Sequence, residues 1–356
     1  MPGPADAPRN LCVLRLSAIG DVCHVLPVVR TMQDAWPGVR CTWIIGKLEH
    51  KLLGHLPDVE FVVFDKRAGR AAYAELRRRM TGRRYDALLH MQLAIRASLA
   101  AALVPATTRI GFDRARAREL QWLFTNRRIE PRRREHVLDG LFGFAECLGL
   151  RRRSMRWDIP LPEAALEYAR NVIPEGRPTL VISPCSSHVL RNWSAEGYAA
   201  VADHASRRHG LQVLICGGPS PLERETGARI EQLAREPVVN LVGRDTLLQL
   251  LATLERAVAL VSPDSGPVHM ATTVGTPVVG LYAATNPERS GPYYSRPWCV
   301  DRYDAAARAF RGRPAAEIPW TTKIEHPGVM DLIRPEDVVE RLDALMAAGA
   351  PRTPTR

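Results

Sequence analysis

Short apolar runs and helical stretches alternate along this chain of 356 residues, and the alternation happens twice. Residues 11–16 form an apolar run of strand length, followed by a helical pattern over residues 22–36 that Pro37-Gly38 ends. Strand signals recur at residues 42–45, 59–64 and 87–90, with helical stretches at 47–56 and 73–80 between them. Strand and helix in turn, joined by short connections, predict a parallel sheet covered by helices on both faces. The rhythm blurs through the arginine-rich residues 111–134, and a helical stretch covers 135–148. Proline-dense segments at 157–162 and 174–178 then bracket one more helix and read as a connection between domains. A second series starts at residues 180–183, with strands at 212–216, 257–261 and 278–282 and helices at 194–209, 222–234, 245–255 and 335–346.

Two doubly wound α/β domains of Rossmann-like form are therefore predicted, facing each other across a cleft that holds ligands at the carboxyl ends of the strands. The expected boundaries are a disordered leader at 1–10, a first domain at 11–162, a linker at 163–178 and a second domain at 179–334. A C-terminal helix at 335–348 is expected to pack back toward the first domain, and residues 349–356 to form a disordered tail.

Composition narrows the setting. No apolar run approaches the ~20 residues of a membrane span; the longest, near residues 97–106, starts beside Arg96. The first residues lack the basic-then-apolar layout of a signal peptide. Seven scattered cysteines without a C-x-x-C pair point to free thiols in a reducing cytosol and argue against a zinc site. The net charge of +11 is concentrated: residues 66–156 hold 22 Lys and Arg against 8 Asp and Glu. Such a belt suits a polyanion or an anionic membrane surface, and an ordinary solvated arginine face is the competing reading. Aromatic residues are not interleaved with these arginines, which weighs against single-stranded nucleic acid.

Two turns can carry chemistry. The turn after the first strand has only Gly20 in Ser17-Ala18-Ile19-Gly20-Asp21, so the three-glycine dinucleotide fingerprint is missing, and no Walker A sequence occurs. Asp21 there either caps the following helix or serves as a base toward a bound hydroxyl. The second turn is Pro263-Asp264-Ser265-Gly266-Pro267-Val268-His269-Met270-Ala271, a strand running into a helix start. Asp264 or Ser265 suits the cap and Pro267 the first turn, so this is either an ordinary turn in which Asp264 only caps or a start whose free N–H groups seat phosphate. His269 lies one helical turn on, where it can address the same ligand.

In these turns the chain resembles the bacterial lipopolysaccharide heptosyltransferases, glycosyltransferase family 9. The string from Leu14 to Pro27, Leu-Arg-Leu-Ser-Ala-Ile-Gly-Asp-Val-Cys-His-Val-Leu-Pro, is similar to that family's N-terminal motif, and Pro263 to Ala271 to its nucleotide-sugar motif. Ser186-Ser187 with Arg191-Asn192-Trp193 resembles its "T-T…K-x-W" segment, and Gly280-Leu281-Tyr282, Thr285-Asn286-Pro287 and Ser290-Gly291-Pro292 its C-terminal loop. The resemblance leans toward the heptosyltransferase I type through His24, Leu26 and Pro27.

It implies a GT-B fold, with the acceptor on the first domain and the nucleotide sugar on the second. It also implies an inverting, metal-independent transfer of heptose from ADP-heptose to the Kdo/heptose inner core of lipopolysaccharide. No Asp-x-Asp sequence, the usual seat of a divalent ion beneath a diphosphate, occurs in the chain, and no cofactor is expected. By resemblance Asp21 is the general base. Ser186, Ser187 and Arg191 contact the diphosphate; Asp264, Ser265, Gly266 and His269 cradle phosphate and sugar. Glu223, with Glu225 competing, takes the ribose hydroxyls. Gly20, His24, Arg132, Arg133 and Arg134 are expected on the acceptor side. Arg191 stands where the family often has Lys, a planar fork in place of a point charge.

The implied partners are a nucleotide-sugar donor, a Kdo-lipid A type acceptor and the anionic inner face of the inner membrane, with no nucleic acid. The enzyme would be cytoplasmic and peripheral there. The alternatives are a family member moving another activated sugar, or a basic nucleic-acid-binding protein on a degenerate scaffold.

Overall fold

The structure is a computed structural model that describes residues 7–353. The first six residues of the expected leader and the last three of the expected tail lie outside the described residues. The chain divides into two compact units between Pro160 and Leu161.

The first unit is built on a six-stranded parallel sheet. Its strands are β1 (Asn10–Leu14), β2 (Arg40–Gly46), β3 (Val59–Phe64), β4 (Tyr85–His90), β5 (Ala106–Gly111) and β6 (Arg127–Arg128), in the order β3-β2-β1-β4-β5-β6. Leu11, Cys12, Val13 and Leu14 are fully buried because helices cover both faces, which is why parallel strands read as unbroken apolar runs. After β3 the chain returns to the other side of β1, so the winding reverses between β1 and β4.

The second unit repeats the plan with β7 (Thr179–Ile182), β8 (Gln212–Ile215), β9 (Val238–Asn240), β10 (Ala259–Pro263), β11 (Val278–Tyr282) and β12 (Val300–Asp301). Their order is β12-β11-β10-β7-β8-β9, all parallel, and the reversal falls between β7 and β10. Ligands of open α/β sheets bind at such reversals, beyond the carboxyl ends of the strands.

Several elements differ from expectation. Residues 163–178 are not a free linker: helix Glu163–Val172 packs against helix Leu247–Arg256 inside the second unit. Helix Pro335–Ala347, expected to return toward the first domain, packs on helix Ala195–His209 and on β11 of the second unit. Asp343 on the former accepts from both His204 and His209 on the latter, at 2.7 and 2.6 Å.

The described part of the tail is pinned rather than loose. Arg352 donates to the carbonyls of Ala257 (3.0 Å) and Val274 (2.8 Å), and Thr353 N–H to Gly275 (3.1 Å). At the end of the expected leader, Arg9 and Asn10 N–H both donate to Asp86. All seven cysteines are free thiols, six of them buried.

Candidate functional site

The reversal in the second unit brings the motifs together. The loop after β10 delivers Asp264, Ser265 and the helix Gly266–Thr273; the loop after β7 delivers Ser186, Ser187 and Arg191. Ser265 occupies the N-cap position with extended backbone, yet its side chain caps nothing. Its hydroxyl pairs with that of Ser262 at 2.8 Å instead. Asp264 does not cap either. Its carboxylate lies 3.5 Å from Arg191 Nη1 and 4.0 Å from His269 Nε2. Ser265 thus gives the helix start no side-chain cap, and a guanidinium stands beside Asp264, a setting that can seat an anion.

Arg191 is held in turn by a residue the sequence reading passed over. Glu325 Oε1 accepts from Arg191 Nε (2.9 Å) and Nη2 (2.6 Å), and its other oxygen lies 3.5 Å from His188 Nε2. Burial pushes the Glu325 carboxyl upward, but the Arg191 hydrogen bonds together with the positive charges of Arg191, His188 and Lys323 outweigh it and hold the group below the usual carboxylate range. Lys323, nearby, is lowered by burial and by repulsion from Arg191. Tyr282 is fully buried and its hydroxyl, close enough to feel Asp264 and Arg191, has no hydrogen-bond partner among the described residues. Glu325 and Lys323 sit between short 3₁₀ turns, where no periodic pattern or motif marks them.

Ser186 is buried, and its backbone N–H donates to the Asn192 side chain at 2.7 Å, while Ser187 is exposed. Glu223 is committed locally. It accepts from Gly218 N–H (2.8 Å) and the Ser220 hydroxyl (2.6 Å), closing the glycine turn and the helix start Pro221–Leu233. Glu225, the competitor, is exposed on that helix. A stronger candidate for chemistry beside this turn is Asp245. Burial, with the charge of Glu223 adding, raises its carboxyl to about 7, and its Oδ2 is buried without a partner among the described residues. The buried Tyr168 hydroxyl, which also has no such partner, is raised to about 12 by burial and then by Asp245.

In the first unit Asp21 lies on the first turn of helix Ile19–Ala35, beyond the carboxyl end of β1. Its Oδ2 accepts the Ala18 N–H at 2.9 Å, so it does help to close its own helix, and it is also ion-paired with Arg15. Arg15 is fixed from behind by donating to the Ser17 (2.8 Å) and Met91 carbonyls. The Asp21 side chain is one-third exposed (32%), so a carboxylate held by a partly buried arginine faces outward at the reversal of the first sheet.

Gly20 is buried in the same turn. His24 is buried too, edge-on to His136 at 5.4 Å, and His136 caps helix Val137–Cys147 through Leu138 N–H. The arginine belt is partly consumed within the unit. Arg132 bonds Glu146 (2.6 Å), Arg116 bonds Asp113 and Glu135, and Arg153 bonds Asp139 and Glu146 while lying over the Phe142 ring. Arg133 and Arg134 are exposed.

Two doubly wound parallel units, each reversing its winding at the middle of its sheet, define a fold of the GT-B glycosyltransferase class. The profile of glycosyltransferase family 9 (heptosyltransferase) matches residues 73–318. The chain is 40% identical to the lipopolysaccharide core heptosyltransferase OpsX of Haemophilus influenzae, over 97% of this chain and 99% of that protein. This protein belongs to glycosyltransferase family 9. Among solved structures it is similar to a family 9 glycosyl transferase from Veillonella parvula, with TM-score 0.79 and 21% identity over 96% of this chain and 97% of that one. It is also similar to Escherichia coli heptosyltransferase WaaC, solved with ADP-2-deoxy-2-fluoro heptose, with TM-score 0.65 and 21% identity over 78% and 90% of the two chains.

Proposed function

We propose that this glycosyltransferase transfers heptose from ADP-heptose to the Kdo/heptose inner core of lipopolysaccharide, with inversion and without a metal ion. The observation that carries the reading is the uncapped start of helix Gly266–Thr273 with Arg191 beside it. Together they offer backbone N–H groups and a guanidinium to a diphosphate, the charge that must be stabilised as the sugar leaves. The relative named for core heptosyl transfer and the neighbour solved with an ADP-heptose analogue support the sugar and the nucleotide. That relative's description covers core heptosyl transfer in general, so the reading extends to the core without choosing the first heptose of the pathway.

In the proposed step the acceptor hydroxyl oxygen attacks the anomeric carbon from the face opposite the diphosphate. Its proton passes to Asp21, and the electron pair of the breaking carbon–oxygen bond leaves on ADP. Arg15 orients Asp21, while Arg191, poised by Glu325 and Asp264, takes the growing charge on the diphosphate. His269 and Ser186 complete the donor side, and Arg133 and Arg134 address the anionic acceptor. That acceptor places the enzyme at the cytoplasmic face of the inner membrane. No helix among the described residues is long and apolar enough to cross a membrane.

The test is product mass from ADP-heptose and Kdo-lipid A. Asp21→Asn is expected to lower kcat by about 10²–10⁴-fold with ADP affinity nearly unchanged, and a chelator to leave the wild-type rate intact. Loss of ADP binding in Asp21→Asn would make Asp21 a structural cap only; loss of rate with chelator would end the metal-free reading.

A further inference from the structure

Of the ten large apolar side chains exposed among the described residues, five lie within thirty residues of one another in the first unit: Ile95, Leu99, Leu120, Trp122 and Leu123, each 41–60% exposed. They belong to two elements that pack together, helix Ile95–Ala102 and the 3₁₀ turn Gln121–Phe124 with the residue before it. The helix is apolar apart from Arg96 and the buried Ser98. Ala97, Ala100 and Ala101 face the core, while Ile95, Leu99 and Ala102, at i, i+4 and i+7, are exposed on another face. A helix of this kind belongs inside a large core or against lipid.

The turn beside it is held firmly. Gln121 is fully buried, donates to the carbonyls of His90 (2.9 Å) and Gln92 (3.1 Å) and accepts from Phe112 N–H (3.1 Å). Glu119 accepts from Ile95 N–H at 2.5 Å and ties the segment to the start of the helix. Trp122 and Leu123 are therefore presented to solvent from an anchored base.

The exposed charge in these segments is mostly arginine. Arg96, Arg114 and Arg118 are exposed within the same segments, and Arg127 and Arg128 follow. The nearby acids are engaged, Asp113 by Arg116 and Glu119 by Ile95 N–H. Exposed Trp and Leu in segments rich in exposed arginine match a bilayer interface, where the ring and aliphatic chains enter the acyl boundary and guanidinium groups meet lipid phosphate.

We infer that the Ile95–Leu99 and Leu120–Trp122–Leu123 patch is the face with which this protein lies on an anionic phospholipid bilayer. The inference rests on the membrane-borne acceptor of the proposed function. The test omits that acceptor, so that the two readings can fail separately. The full chain is floated with vesicles of phosphatidylethanolamine and phosphatidylglycerol, and with vesicles of phosphatidylcholine alone. Wild type is expected to float with the anionic vesicles and much less with the neutral ones, with a blue shift of tryptophan emission that Trp122→Phe removes. Leu120→Ser/Trp122→Ser/Leu123→Ser is expected to lose partitioning by on the order of tenfold or more, with an unchanged melting temperature because the side chains are exposed. Its transfer rate should fall on vesicle-embedded acceptor and stay at the wild-type level on a water-soluble, deacylated acceptor. Equal flotation of the triple variant and wild type would overturn the inference. So would flotation only when acceptor is present, or a wild-type dimer that the triple variant converts to monomer.

Discussion

Asp245 shows how a single carboxyl couples this fold to pH. An aspartic acid in an unfolded chain titrates near 3.9, whereas burial, with Glu223 adding, brings this one to about 7. Between those values the native state holds a proton that the unfolded state has released. Stability from this group is therefore fully present below about pH 4 and is lost as pH rises through about 7. Asp245→Asn keeps the shape and removes the ionisation. It is expected to stabilise the protein at pH 8 by roughly 2–4 kcal/mol and to change little near pH 4, read as urea midpoints at the two pH values. The same difference at both would show that Asp245 is not buried as a neutral acid. Glu325 is the opposite case, a carboxylate kept charged by Arg191 despite burial. Neither residue stands in a motif, and their roles come from neighbours far away in sequence. Asp264, by contrast, was legible because it directly follows a strand, and Arg191 because it stands in a segment that resembles a family motif.

At the scale of elements, close backbone approach limits what the loop carrying Asp21 tolerates. A side-chain carbon on Gly46 would sit 2.2 Å from the Leu16 carbonyl oxygen and 2.4 Å from Glu49 Oε2. Gly46 N–H also donates to that same carbonyl at 3.0 Å. Gly46→Ala must push the strand-to-helix turn away, so it is expected to cost about 1–3 kcal/mol and to lower kcat more than it raises KM. Normal kcat at reduced stability would mean the turn relaxes without moving Asp21. Most strands were readable as apolar runs because sheets covered on both faces demand them. The strands that escaped notice are those with weak pattern. β5, Ala-Thr-Thr-Arg-Ile-Gly, has little apolar content, and Arg109 bonds the Ala101 and Val104 carbonyls beside it. β6 and β12 are two residues each, and β9 is three. Helix Ile95–Ala102 escaped too, being only eight residues long and half alanine, which gives little contrast between its faces.

For the whole molecule, the proposed division of labour assigns ADP to the second unit alone, and hydrogen exchange can test that assignment. A ligand that binds only the folded chain slows every amide that exchanges through global unfolding, wherever it lies. Those amides therefore cannot report the site. The informative ones open locally, in loops and helix ends with little cover. With ADP, such amides at residues 186–192 and 264–270 are expected to slow, because the proposed phosphate seat consists of Arg191, Asp264 and the first turn of helix Gly266–Thr273. Locally opening amides around Asp21 should exchange at their ligand-free rate, since the base acts on the acceptor. In Arg191→Ala the protection at 264–270 should weaken while the ligand-free exchange pattern is retained, as a guanidinium that meets phosphate requires. Protection centred on residues 15–24 would move the nucleotide to the first unit and with it the proposed roles of both reversals. Protection at 264–270 that survives Arg191→Ala unchanged would leave the helix start as the phosphate seat and reduce Arg191 to the partner of Glu325.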